Sequence, residues 1–245
     1  MSEGGERSAG GEWSAGGEWM SPYYRVGRHP SRWILHLLSR VRVEGLEHIP
    51  DAGPFILAPN HQSALDPCLV QGFCPRPVHA MTKSTQFASP VFRWLLPRLH
   101  AFPVRRYRVD PQAVRMVFRY LDQGSGVCIY PEGERTWDGQ VGPFRRGALK
   151  VLLQANAPII PVGIAGMFEL WPRWARSPRM RLQPRLTVTA RFGPPIQVGP
   201  AADREERERL VPELDRFLKA ELDRLRTSGG SVPGGPRAVG AGKGR

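Results

Sequence analysis

Asn60-His61-Gln62-Ser63-Ala64-Leu65-Asp66 sets a histidine and an aspartate five positions apart, directly after the apolar run Pro54-Phe55-Ile56-Leu57-Ala58. Residues three or four apart share a helix face, whereas residues five apart are rotated from each other by about 140°. A continuous helix would therefore hold these two side chains apart. Pro67 follows Asp66, and an aspartate N-cap with proline at the first helical position is a helix-start signature. The spacing predicts a turn over 61–65 that swings the imidazole back to the carboxylate, between a strand ending at Ala58 and a helix opened by Asp66. In parallel α/β sheets ligands bind in the crevice beyond the carboxyl ends of the strands. His61 reads as a base and Asp66 as the group that orients it. A neutral histidine held by a carboxylate takes a proton from a hydroxyl near neutral pH, and the carboxylate then stabilises the imidazolium. Ser63 has no G-x-S-x-G around it and Cys68 falls in the short helix, so no nucleophile elbow is visible. The pattern points to a histidine that activates a substrate hydroxyl directly, without a covalent enzyme intermediate.

Strand and helix alternate on either side of this stretch. Arg40 to Glu44 alternates as a strand and Pro54 to Ala58 suits burial on both faces. After the Asp66 helix come a short strand at Val78 to Met81 and a helix at Pro90 to Leu99, whose Phe92, Trp94, Leu95, Leu96 and Leu99 fit a core or an apolar groove. Ala101 to Val104 is a strand that delivers Arg105 and Arg106. Asp110-Pro111 repeats the cap-and-proline start, and the helix it opens runs to Gly124. A strand over Gly126 to Tyr130, a helix over Gly147 to Gln154 and a strand over Pro158 to Ile164 follow. Arg185 to Phe192 reads as an edge strand, and Asp203 to Arg226 as a helix kinked or restarted at Pro212. The fold class is α/β: a single domain with a largely parallel mixed sheet flanked by helices, connected by right-handed crossovers. The domain is expected over 25–226. The Gly-Gly-Glu repeat at positions 4, 10 and 16 marks residues 1–24 as a disordered tail, and Gly and Pro mark 227–245 as another.

Formal charge is +13, from 35 Lys and Arg against 22 Asp and Glu, which suits anionic partners such as a lipid headgroup layer, a phosphate-bearing substrate, coenzyme A or nucleic acid. Cys68, Cys74 and Cys128 lie in apolar contexts without C-x-x-C spacing, so neither a zinc site nor a disulfide framework is expected, and a reducing cytoplasm fits. There is no run of about 18 apolar residues and no signal-peptide pattern, so membrane contact is expected to be peripheral. Ser31 is expected to cap a short helix, Arg32 to Ser39, whose Trp33, Ile34, Leu35, Leu37 and Leu38 are flanked by Arg25, Arg28, Arg32 and Arg40; such a helix lies in a headgroup layer or packs on the domain. Phe168, Trp171 and Trp174 alternate with Arg173, Arg176, Arg179, Arg181 and Arg185, which is compatible with an interfacial surface or with a solvated loop.

Cations gather where the strands end. Arg106 ends one strand, and the loop Tyr130-Pro131-Glu132-Gly133-Glu134-Arg135-Thr136 ends another. Phe144-Arg145-Arg146-Gly147 precedes a helix N-terminus. Arginine offers a planar fork to phosphate oxygens, Gly133 lets backbone amides approach, and a helix N-terminus favours anions. Singly each arginine reads as a solvated charge. Together Arg106, Arg135, Arg145 and Arg146 read as a phosphate pocket, with Glu132 orienting an arginine or the acceptor's hydroxyl.

Asn60-His61-x4-Asp66 followed by Tyr130-Pro131-Glu132-Gly133-Glu134-Arg135-Thr136 resembles the glycerolipid acyltransferase family typified by 1-acylglycerol-3-phosphate acyltransferases. The resemblance runs from about Val41 to about Gly193. It implies that His61 is the base and Asp66 its partner, that Arg106, Glu132, Gly133 and Arg135 bind the glycerol phosphate, and that Ile160-Pro161-Val162 is an apolar fourth block. Where the family usually has threonine and phenylalanine, this chain has Glu134 and Tyr130; Arg145 or Arg146 stands where lysine is common. The implied reaction moves an acyl group from acyl-coenzyme A or acyl carrier protein to the hydroxyl of a lysophospholipid, with no cofactor or metal, at the cytoplasmic face of the cell membrane and with no nucleic-acid partner. The alternatives are a non-catalytic basic protein that binds anionic lipid or nucleic acid, and a thioester hydrolase.

Overall fold

The computed structural model describes residues 12–13, 19–107, 110–178, 186–199, 204–227 and 237–239. Most residues of both expected tails, and Arg179, Arg181 and Arg185, lie outside that set.

The apolar run is the middle of the sheet. Strand β4 (Phe55–Pro59) is buried along its whole length and pairs in parallel with β7 (Gly126–Cys128) on one side and β8 (Ile159–Ala165) on the other. Beyond β7 the sheet continues in parallel through β5 (Val78–Lys83) and β6 (Ala101–Val104). Beyond β8 it turns antiparallel, through β9 (Thr187–Phe192) and, at the start of β8, β10 (Ile196–Val198). Strand β3 (Arg40–Glu44) pairs in parallel with β9, and β11 (Arg237–Val239) with β10. The segments Glu12–Trp13 and Trp19–Met20, β1 and β2, form a separate antiparallel pair.

Strand alternation divides the core. Ile56, Val127 and Ile159 face one side, where they meet α4 (Pro111–Asp122), α5 (Arg146–Gln154) and α7 (Arg204–Thr227). Phe55, Leu57, Ile160 and Val162 face the other and meet α1 (Pro22–Leu38), α2 (Asp66–Phe73) and α6 (Met167–Leu170). A strand apolar on both faces is what a parallel sheet covered by helices requires. The close approach of α7 depends on Gly163, where an added Cβ would lie 2.4 Å from the Leu225 Cβ. The helix α3 (Pro90–Arg98) links β5 to β6 and buries none of its residues, so Phe92 and Trp94 are not core.

Three further expectations change. Strand β9 is not an edge. Its polar residues suggested solvent, but Arg191 is buried, donating to Glu44 Oε2 on β3 (2.7 Å) and to the Leu225 carbonyl (3.0 Å). The first helix starts at Pro22 rather than Arg32, capped by the Ser21 hydroxyl, which accepts from the Tyr24 amide (3.0 Å). Ser31 lies inside it, its hydroxyl bonded to the Arg28 carbonyl (2.9 Å). Residues 22–24, assigned from sequence to the tail, thus belong to α1. Finally, α7 continues through Pro212 without division.

Arg32 donates to the Gly72 carbonyl (2.6 Å) and Arg28 to the Cys74 carbonyl, so two of the arginines of α1 hold the C-terminal end of α2. The opposite side of α1 exposes Trp33 (79%) and Leu37 (70%), together with Ile34. Tyr23 joins this apolar surface to α3 through edge-on contact with Trp94 (5.4 Å). No helix among the described residues is long and apolar enough to cross a membrane.

The start of α1 rests on a column of rings: Tyr24 stacks on His100 (4.4 Å), His100 on His79 (4.5 Å) and His79 on Tyr120 (3.7 Å). Burial pushes His79 down to about 3, aided by the adjacent His100, and pushes His100 down to about 4. Both are neutral in the fold and protonate near 6.5 once unfolded. Their contribution is therefore complete above about pH 6.5 and is lost as pH falls from there towards 4, by up to roughly 1.4 kcal/mol per pH unit for each ring. Chemical denaturation between pH 7 and 5 should show this decline, and His79→Phe, which keeps a ring in the stack, should reduce it to about half, the share of His100. An equal slope in the variant would remove His79 as its source.

Candidate active site

Residues 60–63 leave β4 without regular structure, and α2 begins at Asp66. The turn does what the spacing requires: His61 Nδ1 lies 2.8 Å from Asp66 Oδ2. That same oxygen accepts the amides of Gln62 (2.6 Å) and Ser63 (2.8 Å). Asp66 is fully buried and, contrary to expectation, does not cap its own helix; it caps the turn before it. Because the carboxylate only accepts, His61 Nδ1 carries the proton and Nε2 is the basic nitrogen. No described residue hydrogen-bonds Nε2. The ring is 7% exposed and stacks on Tyr130 (4.2 Å), a contact made by the ring face that phenylalanine would also supply.

The neighbours of His61 are tied down as well. Asn60 spans to β8, accepting the Ile164 amide (2.6 Å) and donating to its carbonyl (3.0 Å). The Gln62 side chain donates to the Gly139 carbonyl (3.1 Å) and accepts from the Met167 amide (3.2 Å). Gly139 is bonded in turn by Arg226 at the end of α7 (2.9 Å). These polar anchors were not singled out from sequence; the only signal was a run of polar residues in a segment that the fold buries.

The loop after β7 brings together some of the expected anion-binding residues and not others. Glu132 is 4% exposed and its carboxylate meets no arginine side chain among the described residues. It accepts the His61 amide (2.7 Å) and the Gly142 amide (2.9 Å), and burial pushes its pKa up to about 7, against the pull of those two amides. Gly133 has φ +71°, and an added Cβ would lie 3.0 Å from Arg145 Cγ, so its role is to let the chain turn under that side chain. Its amide is spent on the Tyr130 carbonyl (3.0 Å). Arg146 is not in the cluster: it is 68% exposed and pairs with Glu208 on α7, as Lys150 does.

Arg106, Arg135 and Arg173 do come together. Burial lowers the pKa of Arg106, and Arg135 and Arg173 lower it further, against Tyr107 and Glu134; burial and Arg173 lower that of Arg135. Arg173, read from sequence only as part of a basic aromatic stretch, donates to the Arg135 carbonyl (2.9 Å) and to Glu134 (2.8 Å) and covers the Trp137 ring (3.9 Å). Arg145 takes the other Glu134 oxygen (2.7 Å), and the Tyr107 hydroxyl donates to Glu134 at 3.0 Å. Glu134 thus satisfies Arg145 and Arg173. Neither Arg106 nor Arg135 has a side-chain acceptor among the described residues, which leaves two half-buried guanidinium forks open to an anion.

A family model described as Acyltransferase matches residues 40–165. The chain belongs to this acyltransferase family. The match begins with β3, ends with β8 and takes in every group bonded to the His61–Asp66 turn up to Ala165. The chain is 30% identical over 144 residues to the 1-acyl-sn-glycerol-3-phosphate acyltransferase of Bacillus subtilis, covering 58% of this chain and 71% of that one. It is 29% identical over 197 residues to the Pseudomonas aeruginosa enzyme of the same name, covering 77% and 70%. Against a chloroplastic relative from Brassica napus, the match covers 53% of this chain and 38% of the relative. The solved structure of the 1-acyl-sn-glycerophosphate acyltransferase from Thermotoga maritima superposes with a TM-score of 0.63 at 26% identity, covering 85% of this chain and 80% of that one.

Asp66→Asn preserves the shape of this acyltransferase's turn and removes its charge. Turnover is expected to fall by about 10²–10⁴-fold, because the imidazolium is no longer stabilised, with the acceptor KM little changed. Stability should fall by about 2 kcal/mol, because three bonds to a charged acceptor become bonds to a neutral one. Undiminished turnover would show that the pair is not catalytic.

Proposed function

We propose that the protein transfers an acyl group from a thioester donor, acyl-coenzyme A or acyl carrier protein, to the free hydroxyl of 1-acylglycerol-3-phosphate, giving phosphatidic acid. The observation that carries this reading is the buried His61–Asp66 pair, at 2.8 Å, with Nε2 left for substrate. Nε2 takes the proton as the acceptor oxygen attacks the thioester carbonyl; the tetrahedral intermediate collapses with cleavage of the carbon–sulfur bond, and the imidazolium returns the proton to the departing thiolate. A thioester is already activated, so base catalysis and positioning suffice. Arg106 and Arg135 take the acceptor's phosphate, with Arg145 and Arg173 held beside them by Glu134. The names of the bacterial relatives support the same acceptor.

The reaction takes place at a membrane surface, which the protein meets peripherally from the cytoplasmic side. Trp33, Ile34 and Leu37 of α1 and Val91, Phe92 and Trp94 of α3 supply the apolar contact, and the surplus of +13 draws the protein to anionic headgroups.

Thiol release from palmitoyl or oleoyl thioesters, with and without lysophosphatidic acid, tests the reaction. Acceptor-dependent release that is abolished in His61→Ala is expected; release without acceptor would indicate a hydrolase, and its absence with every donor would favour a binding protein. Arg135→Ala should raise the acceptor KM about tenfold or more, and an unchanged KM would place the phosphate elsewhere. Sedimentation with vesicles containing anionic phospholipid should fall about tenfold for Trp33→Glu/Leu37→Glu, whereas equal binding would exclude this face.

A further inference from the structure

The backbone amides of His61, Gln62 and Ser63 are all engaged. Asp66 accepts those of Gln62 and Ser63, and Glu132, from a loop 71 residues away in sequence, accepts that of His61 itself at 2.7 Å. The second Glu132 oxygen accepts the Gly142 amide at 2.9 Å, so both oxygens are committed to backbone, and neither contacts a guanidinium of the phosphate cluster. The Thr136 amide, further along the same loop, donates to the His61 carbonyl (2.8 Å). His61 is thus clamped at its amide, its carbonyl and its ring.

We propose that Glu132 is a positioning residue for the base and not a ligand of the acceptor's phosphate. Asp66 fixes the imidazole, and Glu132 fixes the backbone from which the imidazole hangs. This inference rests on the reading of His61 as the base of acyl transfer. A carboxylate is required because two N–H groups converge on it: glutamine can turn its oxygen to one of them but must then present an amide nitrogen to the other. The tolerance is small as well, since a Cβ at Gly142 would lie 2.9 Å from Glu132 Oε2. Enlarging Gly142 therefore pushes the carboxylate without altering it.

The two roles predict different kinetics. A phosphate ligand contributes to acceptor binding, so its loss raises the acceptor KM; a group that aims the base acts on the chemical step, where displacement by about 1 Å costs on the order of a hundredfold. The test is steady-state acyl transfer by wild type, Glu132→Gln and Gly142→Ala, with lysophosphatidic acid and thioester varied in turn and folding checked by circular dichroism. The expected result is a kcat reduced tenfold to a hundredfold in both variants, with the acceptor KM within about twofold of wild type. A raised acceptor KM with kcat preserved in Glu132→Gln would overturn the proposal and return Glu132 to the phosphate site, as would full kcat in both folded variants. Absence of acceptor-dependent transfer by the wild type would instead overturn the reading of the reaction. Were Glu132→Gln to fail the folding check, Gly142→Ala alone would decide.

Discussion

The structure around the site depends on one buried charge. Asp66 has no exposure, and a carboxylate moved out of water unpaired would be strongly unfavourable, so donors must converge on it; they do so on one oxygen, while Oδ1 is buried without a hydrogen-bond partner among the described residues. Its Oδ2 receives three: the His61 ring and the amides of Gln62 and Ser63. That requirement shapes the chain. Residues 61–63 must curl around the carboxylate instead of continuing either the strand or the helix, and this curl brings a ring five residues away to within 2.8 Å. The local structure and the catalytic geometry are the same set of bonds.

Charge is distributed by a similar logic a few residues on. Guanidiniums close together repel, and although burial is the main reason that the pKa values of Arg106 and Arg135 are lowered, Arg173 lowers both further. Glu134, where relatives commonly have threonine, reduces that repulsion and fixes Arg145 and Arg173 in place; the Arg173 hydrogen bond holds its carboxyl below the usual carboxylate range. It thereby holds two of the arginines and leaves Arg106 and Arg135 without a side-chain acceptor among the described residues. Arg146, one residue from Arg145, is turned outward to Glu208 because α5 begins there and the helix sets its direction.

What could be read from the sequence followed range. The strand, turn and helix around His61 were legible because apolar run, spacing and Asp-Pro start all act within a dozen residues. The parallel sense of β4, β7 and β8 followed from the alternation of strand and helix along the chain. Long-range polar pairings were not legible. Arg191 looked like a solvent-facing residue of an edge strand until Glu44, 147 positions away, came to meet it. Glu132 looked like part of the anion site because it sits in a loop with Gly133 and Arg135, yet its partners are the amides of His61 and Gly142. Arg173 carried no local sign of its place beside Arg135. In each case a buried polar side chain was claimed by a backbone or a charge that only the folded chain supplies.

The distribution of bonding capacity around His61 then limits what the site can do. The amides of His61, Gln62, Ser63, Gly133 and Thr136 are all spent on protein acceptors. None of these backbone groups is left to hold an oxyanion as a peptide-bond hydrolase would require. Nε2 of His61 has no hydrogen-bond partner among the described residues, and neither Arg106 nor Arg135 has a side-chain acceptor among them. An open ring nitrogen beside two guanidinium forks that lack side-chain acceptors among the described residues is the arrangement on which the proposed transfer to a phosphate-bearing alcohol rests. Rigidity serves the same end: with its base clamped at ring, amide and carbonyl, the site has little reorganisation left to perform when the two substrates meet.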